Sequence, residues 1–200
     1  MIVITNPFFV KNEIDILHSL LEEGLPLLHI RKPEFSELEM AHFIPQIKPE
    51  YRNKLVLHSH HSLAEDFGIT RIHFSEKERK NNHNNPARFS KPCRYNSTST
   101  HSIEDFNSLE NDFDYAFLSP VFKSISKENY HSEIDLFEEI KKRTNYKTKL
   151  IALGGIDSEN IRKTLEKGFD DVALLGSIWK NKNPLKQFKL CQQIAQSFSL

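Results

Sequence analysis

Short apolar runs alternate with stretches of helical period along almost the whole chain, and this alternation constrains the fold more than any other feature. Runs at 2–5, 27–30, 55–58, 72–74, 94–98, 115–118, 150–153 and 172–175 have the length and β-branched or aromatic content of strands. Amphipathic segments at 13–23, 36–47, 103–109, 134–142 and 159–167 lie between them. Strands that alternate with helices build parallel βαβ units, so a doubly wound sheet or a closed (β/α)8 barrel follows.

The glycines favour the barrel. The chain has 6, and Gly24, Gly68 and Gly168 each end a helical pattern a few residues before a strand, where a left-handed helix terminator belongs. The other three, Gly154, Gly155 and Gly176, follow the last two strand candidates. In an α/β barrel the C-terminal strand ends carry the active site, and the loops after strands seven and eight often hold a phosphate. The expected architecture is therefore a single-domain α/β (β/α)8 TIM barrel over residues 1–200. The polar stretch 76–90 reads as a surface excursion with a weak helix.

Charge and hydropathy exclude several functions. Lys plus Arg and Asp plus Glu are both 27, giving no basic excess for nucleic acid. The longest uncharged apolar run, 172–179, is far short of the roughly 20 residues of a spanning helix. Residues 1–5 carry no export signature, and Cys93 and Cys191 form no C-x-x-C pair, so a reducing cytoplasm is the expected compartment.

Candidate chemistry gathers at the strand ends. The turns Gly154-Gly155-Ile156 and Gly176-Ser177-Ile178 each precede a helix start, offering backbone amides to an anion. Ser124, Ser126 and Lys127, after the sixth strand, offer three further donors. Arg31 and Lys32 close the second strand and suit phosphate recognition. His58, His60, His61, His73 and His101 recur near strand ends, but H-S-H-H is no standard ligand spacing. His58 and His60 share a side if the strand continues, which leaves a borderline metal as one option there.

In order and spacing, six blocks carry a resemblance: LHIRK at 28–32, LVLHSHHSLAEDFGITRIHF at 55–74, STSTHS at 97–102, DYAFLSPVFKSISK at 114–127, IALGGI at 151–156 and DVALLGSI at 171–178. Together they are similar to the thiamine phosphate synthase/TenI superfamily of barrels. The resemblance implies an enzyme of thiamine biosynthesis that takes phosphorylated pyrimidine and thiazole substrates, with Mg2+ as a possible cofactor and a homodimer as a possible assembly. It implies that Arg31 and Lys127 are the catalytic residues, Arg31 facing the diphosphate and Lys127 holding pyrophosphate or thiazole phosphate. His29 stands where the family reads the pyrimidine with a glutamine, and Lys32 stands one place before the family's lysine. By the same resemblance, Ser99, Ser124 and Ser126 hold pyrophosphate or thiazole phosphate, and the amides of Gly155, Gly176 and Ser177 hold the thiazole phosphate. The family's first metal-binding aspartate aligns with Ser59, a neutral hydroxyl, and its second falls near Glu76 or Glu78, which leaves Glu78 as the metal candidate. Loss of a hard oxygen ligand weakens Mg2+ binding. A TenI-like thiazole tautomerase, or a non-catalytic barrel that binds thiazole phosphate or thiamine phosphate, are the alternatives. The tautomerase histidine aligns with Pro120, leaving His101 or His131 to substitute.

Overall fold

Eight parallel strands close on themselves in chain order, β1 pairing with both β2 and β8, in a computed structural model that describes residues 1–81, 95–109, 112–122 and 136–198. The strands are β1 Ile2–Ile4, β2 Leu27–Ile30, β3 Leu55–Leu57, β4 Arg71–Phe74, β5 Tyr95–Thr100, β6 Tyr115–Leu118, β7 Lys149–Leu153 and β8 Asp171–Leu174. Helices α1 Glu13–Glu22, α2 Glu37–Phe43, α3 Leu63–Asp66, α4 Glu76–Asn81, α5 Ile103–Asn107, α6 Leu136–Glu139, α7 Ile161–Glu166 and α8 Gly176–Trp179 alternate with them, and α9 Pro184–Phe198 closes the chain. The closed barrel expected from the sequence is the architecture observed, and the open sheet is excluded.

Near-continuous apolar runs such as Tyr-Ala-Phe-Leu in β6 are buried on both faces, which a sheet covered by helices requires. Strand β5 departs from this rule. Its sequence Tyr-Asn-Ser-Thr-Ser-Thr is polar, yet only its first residue is exposed. The Thr98 hydroxyl donates to the Phe74 carbonyl and the Thr100 hydroxyl to the Phe117 carbonyl, each at 2.9 Å, so the neighbouring strands satisfy this polarity. The strand runs to Thr100 rather than 98, because an apolar run cannot mark the end of a polar strand.

Helix α2 opens on a capping box, with the Ser36 hydroxyl accepting from the Glu39 amide and the Glu39 carboxylate accepting from the Ser36 amide. Pro45 lacks the amide proton of an α-helix interior, so the expected segment 36–47 becomes α2 followed by a 3-10 turn at Ile44–Gln46. The excursion 76–90 begins as α4, and its part beyond Asn81 lies outside the described residues.

Two apolar clusters hold the molecule together. The larger lies between the barrel and its helices. The smaller fills part of the barrel interior with Ile2, Ile4, Tyr115, Phe117, Ile151 and Ala173, drawn from β1 and β6 to β8. The opposite half, along β2 to β5, contains His29, His73 and Ser97, all buried. Barrel interiors are normally layers of branched aliphatic side chains, so this polar half is the unusual part of the fold.

Candidate functional site

A cavity of about 540 Å³ opens at the C-terminal ends of the strands, bounded by the polar half of the interior and by the glycine turns after β7 and β8. Arg31, Lys32, Ser59, Glu78, Ser99, Gly155 and Gly176 all line it.

Arg31 is placed by the end of β1. The Thr5 hydroxyl, fully buried, accepts from the Arg31 amide at 2.8 Å and donates to the Arg31 carbonyl at 3.2 Å. Both bonds clamp the backbone and leave the guanidinium to the cavity, where burial pulls its pKa down from the ordinary arginine value. Sequence reading missed Thr5, since a threonine that ends a strand carries no signal of a cross-strand clamp.

Lys32 corrects an expectation. It is among the residues that line the cavity, but its ammonium donates to both Glu13 carboxylate oxygens at 2.8 and 2.6 Å and to the Asn6 carbonyl at 2.7 Å. The pair is buried, so this charge anchors the loop after β1 to β2 and is not available to a ligand.

The glycine turns are held from behind. The Asn160 side-chain amide donates to the Gly155 carbonyl at 2.9 Å, and the Val121 and Phe122 amides donate to the Leu153 and Gly154 carbonyls at 3.0 Å. Gly154 has φ +100°, and a Cβ there would lie 2.9 Å from the Pro120 Cα, so glycine is required on both counts. Gly176 is the first residue of α8, as the expected turn-into-helix requires. Gly155 is not at a helix start, because α7 begins only at Ile161, and its amide rather than a helix dipole is what this turn offers. Ser177 lies outside the cavity lining, yet its hydroxyl is buried and has no hydrogen-bond partner among the described residues.

Ser99 bonds His73 Nε2 at 2.9 Å, and Ser97 bonds His73 Nδ1 at the same distance. His29 is fully buried behind the cavity wall, with Nδ1 2.8 Å from His58 Nε2 and Nε2 2.6 Å from the Tyr115 hydroxyl. Burial first, and neighbouring imidazoles and arginines second, hold all three rings well below the ordinary histidine pKa, His73 at about 3. The rings are neutral at physiological pH. Burial likewise pushes the Tyr115 phenol up.

His58 and His60 do not share a site. The backbone of His60 turns left-handed, φ 52°, and its Nε2 pairs with the Phe35 carbonyl at 2.7 Å. His61 Nε2 pairs with the His73 carbonyl at 3.2 Å. At the rim, His101 Nδ1 pairs with the Ser119 carbonyl at 2.7 Å, and its Nε2 lies 3.7 Å from Glu76. Ser124, Ser126, Lys127 and His131 lie outside the described residues.

Among the described residues, the donors do not fit Mg2+ held by protein carboxylates. Glu78 accepts from the Ser75 amide and hydroxyl at 2.8 and 2.6 Å and so closes the first turn of α4, while Glu76 pairs with Lys80. Ser59 brings a buried neutral hydroxyl without a hydrogen-bond partner among the described residues. Mg2+ needs near-octahedral hard oxygen donors, and this set does not supply them.

An eight-stranded parallel barrel with an arginine and two glycine turns around one mouth defines the class, a (β/α)8 protein with its cavity at the C-terminal strand ends. Comparison with known proteins narrows that class. The family model described as thiamine monophosphate synthase matches residues 1–178, and the chain belongs to this family. A thiamine-phosphate synthase from Caldicellulosiruptor saccharolyticus is 24% identical over 197 residues, covering 94% of this chain and 86% of that protein. The crystal structure of thiamine phosphate pyrophosphorylase from Bacteroides thetaiotaomicron superposes with a TM-score of 0.77 at 30% identity, covering 98% of this chain and 97% of that one. The Pyrococcus furiosus thiamine phosphate pyrophosphorylase shares the fold, with a TM-score of 0.77 at 18% identity over 98% of this chain and 95% of that one.

Proposed function

We propose that this barrel is a transferase of the thiamine phosphate synthase type, joining an aminomethylpyrimidine diphosphate to hydroxyethylthiazole phosphate. The observation that carries this reading is the convergence of Arg31, Ser99, Gly155 and Gly176, from four separate loops and strands, on one cavity at the strand ends. In the reaction the methylene–oxygen bond of the pyrimidine diphosphate breaks, pyrophosphate leaves with the electron pair, and the thiazole nitrogen forms the new carbon–nitrogen bond. Arg31 faces the diphosphate and neutralises charge on the leaving group, a task shared with Lys127. The amides of Gly155, Gly176 and Ser177 take the thiazole phosphate, with the unpartnered Ser177 hydroxyl as a further donor. Ser99, Ser124 and Ser126 complete the anion contacts, and neutral His29 stands behind the pyrimidine. Because the carboxylates at the mouth are engaged elsewhere, turnover is expected to be low and only weakly dependent on Mg2+.

The test is incubation of pure protein with both substrates, in Mg2+ and in chelator, with thiamine phosphate measured directly. Formation of product that falls at least tenfold in Arg31→Gln supports the transferase. Robust turnover strictly dependent on Mg2+ would restore a metal role for Glu76 or Glu78. Binding of thiamine phosphate without turnover of any precursor would leave a non-catalytic carrier.

His101 favours a second reading. A histidine held by the Ser119 carbonyl on the cavity rim, with a carboxylate 3.7 Å from its free edge, is placed to move a proton on a bound thiazole carboxylate phosphate. Metal-independent isomerisation of that substrate, abolished in His101→Ala, would favour this tautomerase over the transferase.

A further inference from the structure

The polar half of the barrel interior contains a cluster that apolar packing does not explain. One ring nitrogen each of His29, His58 and His73 lies within 4.8 Å of one from both of the others. His29 Nδ1 and His58 Nε2 already face each other at 2.8 Å, and the rings of His58 and His73 stack with centroids 4.2 Å apart. Nitrogens around a tetrahedral Zn2+ stand roughly 3.3 Å apart, given Zn–N bonds of about 2.0 Å, so side-chain shifts of an ångström or so close the triangle.

The surroundings are those of coordinating imidazoles. A metal-bound histidine usually places its second nitrogen on a fixed polar group. The second nitrogen of His29 lies 2.6 Å from the Tyr115 hydroxyl, and His73 has Ser97 and Ser99 on its two nitrogens, so it can release one and keep the other. Three imidazoles without a carboxylate suit borderline ions such as Zn2+ or Co2+ and not Mg2+. His58 and His73 line the cavity while His29 closes its back, so an ion held by all three keeps one face toward the cavity.

We propose that His29, His58 and His73 form a three-imidazole site for one borderline divalent transition-metal ion, with its remaining position open to the cavity. The site borders the proposed anion contacts, since Ser99 bonds His73 and His58 and His73 line the same cavity, but its test reads metal binding and does not depend on transferase turnover.

Chelator-treated protein titrated with Co2+ tests it, with the visible d–d absorption as readout and Zn2+ as competitor. One equivalent per chain is expected, with a four- or five-coordinate spectrum that Zn2+ removes. His58→Ala should weaken binding at least a hundredfold, and Tyr115→Phe about tenfold to a hundredfold. His60→Ala and His101→Ala should leave affinity unchanged, which separates the site from adventitious histidines. Absence of the d–d bands at micromolar metal overturns the proposal, as does undiminished affinity in folded His58→Ala. Should the core variants fail to fold, X-ray absorption on the Co2+-loaded native protein counts the imidazoles directly. Three are expected, and fewer than three overturns the site.

Discussion

Lys32 shows how one charge is read differently from a motif and from its surroundings. As part of His-Ile-Arg-Lys it looks like a ligand group, yet its ammonium lies between Glu13 and two loop carbonyls, buried with its partner. Removing one member of a buried pair leaves the other as an uncompensated charge. Lys32→Met is therefore expected to lower stability by about 3–5 kcal/mol in urea unfolding, with a good part recovered in the double variant Glu13→Gln/Lys32→Met. A lysine that served a ligand would instead raise KM and leave the urea midpoint in place. The two adjacent glycines separate in the same way. Gly154→Ala meets Pro120 and holds a strained φ, so it should cost about 1–3 kcal/mol by thermal unfolding. Gly155→Val, where the resemblance places a phosphate, should weaken binding of thiazole phosphate in calorimetry while the fold persists. Unchanged affinity would remove Gly155 from the site.

Helix α9 is the element least visible in the chain. Its apolar residues are sparse, and burial falls on Phe188 and Cys191 where the helix packs on α1, α7 and α8. Phe188→Ala is expected to cost about 3–5 kcal/mol, read from the denaturant midpoint. Burial also pushes the Cys191 thiol up to about 12, so little thiolate exists near neutral pH. In a Cys93→Ser background, iodoacetamide should leave native Cys191 unmodified for hours and label it at once in denaturant, as mass spectrometry would show. Rapid labelling of the native form would mean that α9 detaches readily. Strands were more legible than this helix, since β1, β3 and β6 are apolar on both faces. Strand β5 was legible only in part, because its burial depends on carbonyls that β4 and β6 supply to its threonines.

The closed barrel brings the loops after β2, β7 and β8 to one mouth, so ligand binding and global stability are linked. A phosphate-bearing ligand that binds only the folded form adds about 2.7 kcal/mol at a hundred times its Kd. A clear rise in Tm with thiazole phosphate or thiamine phosphate is expected, and it should shrink in Gly155→Val. No shift at saturating ligand would mean that the mouth does not hold such molecules. The barrel, its strand order, and the arginine and glycines of the mouth are readable from chain order alone, because alternating apolar and amphipathic segments and glycines after strands are local patterns. Other features depend on which neighbours closure provides. It draws Lys32 away from the cavity and onto Glu13, and gives Arg31 the Thr5 clamp. It also sets His58 against His29 and His73 rather than His60. These partners lie far apart in the chain and meet only when the strands curl into register, so no spacing rule along the sequence announces them.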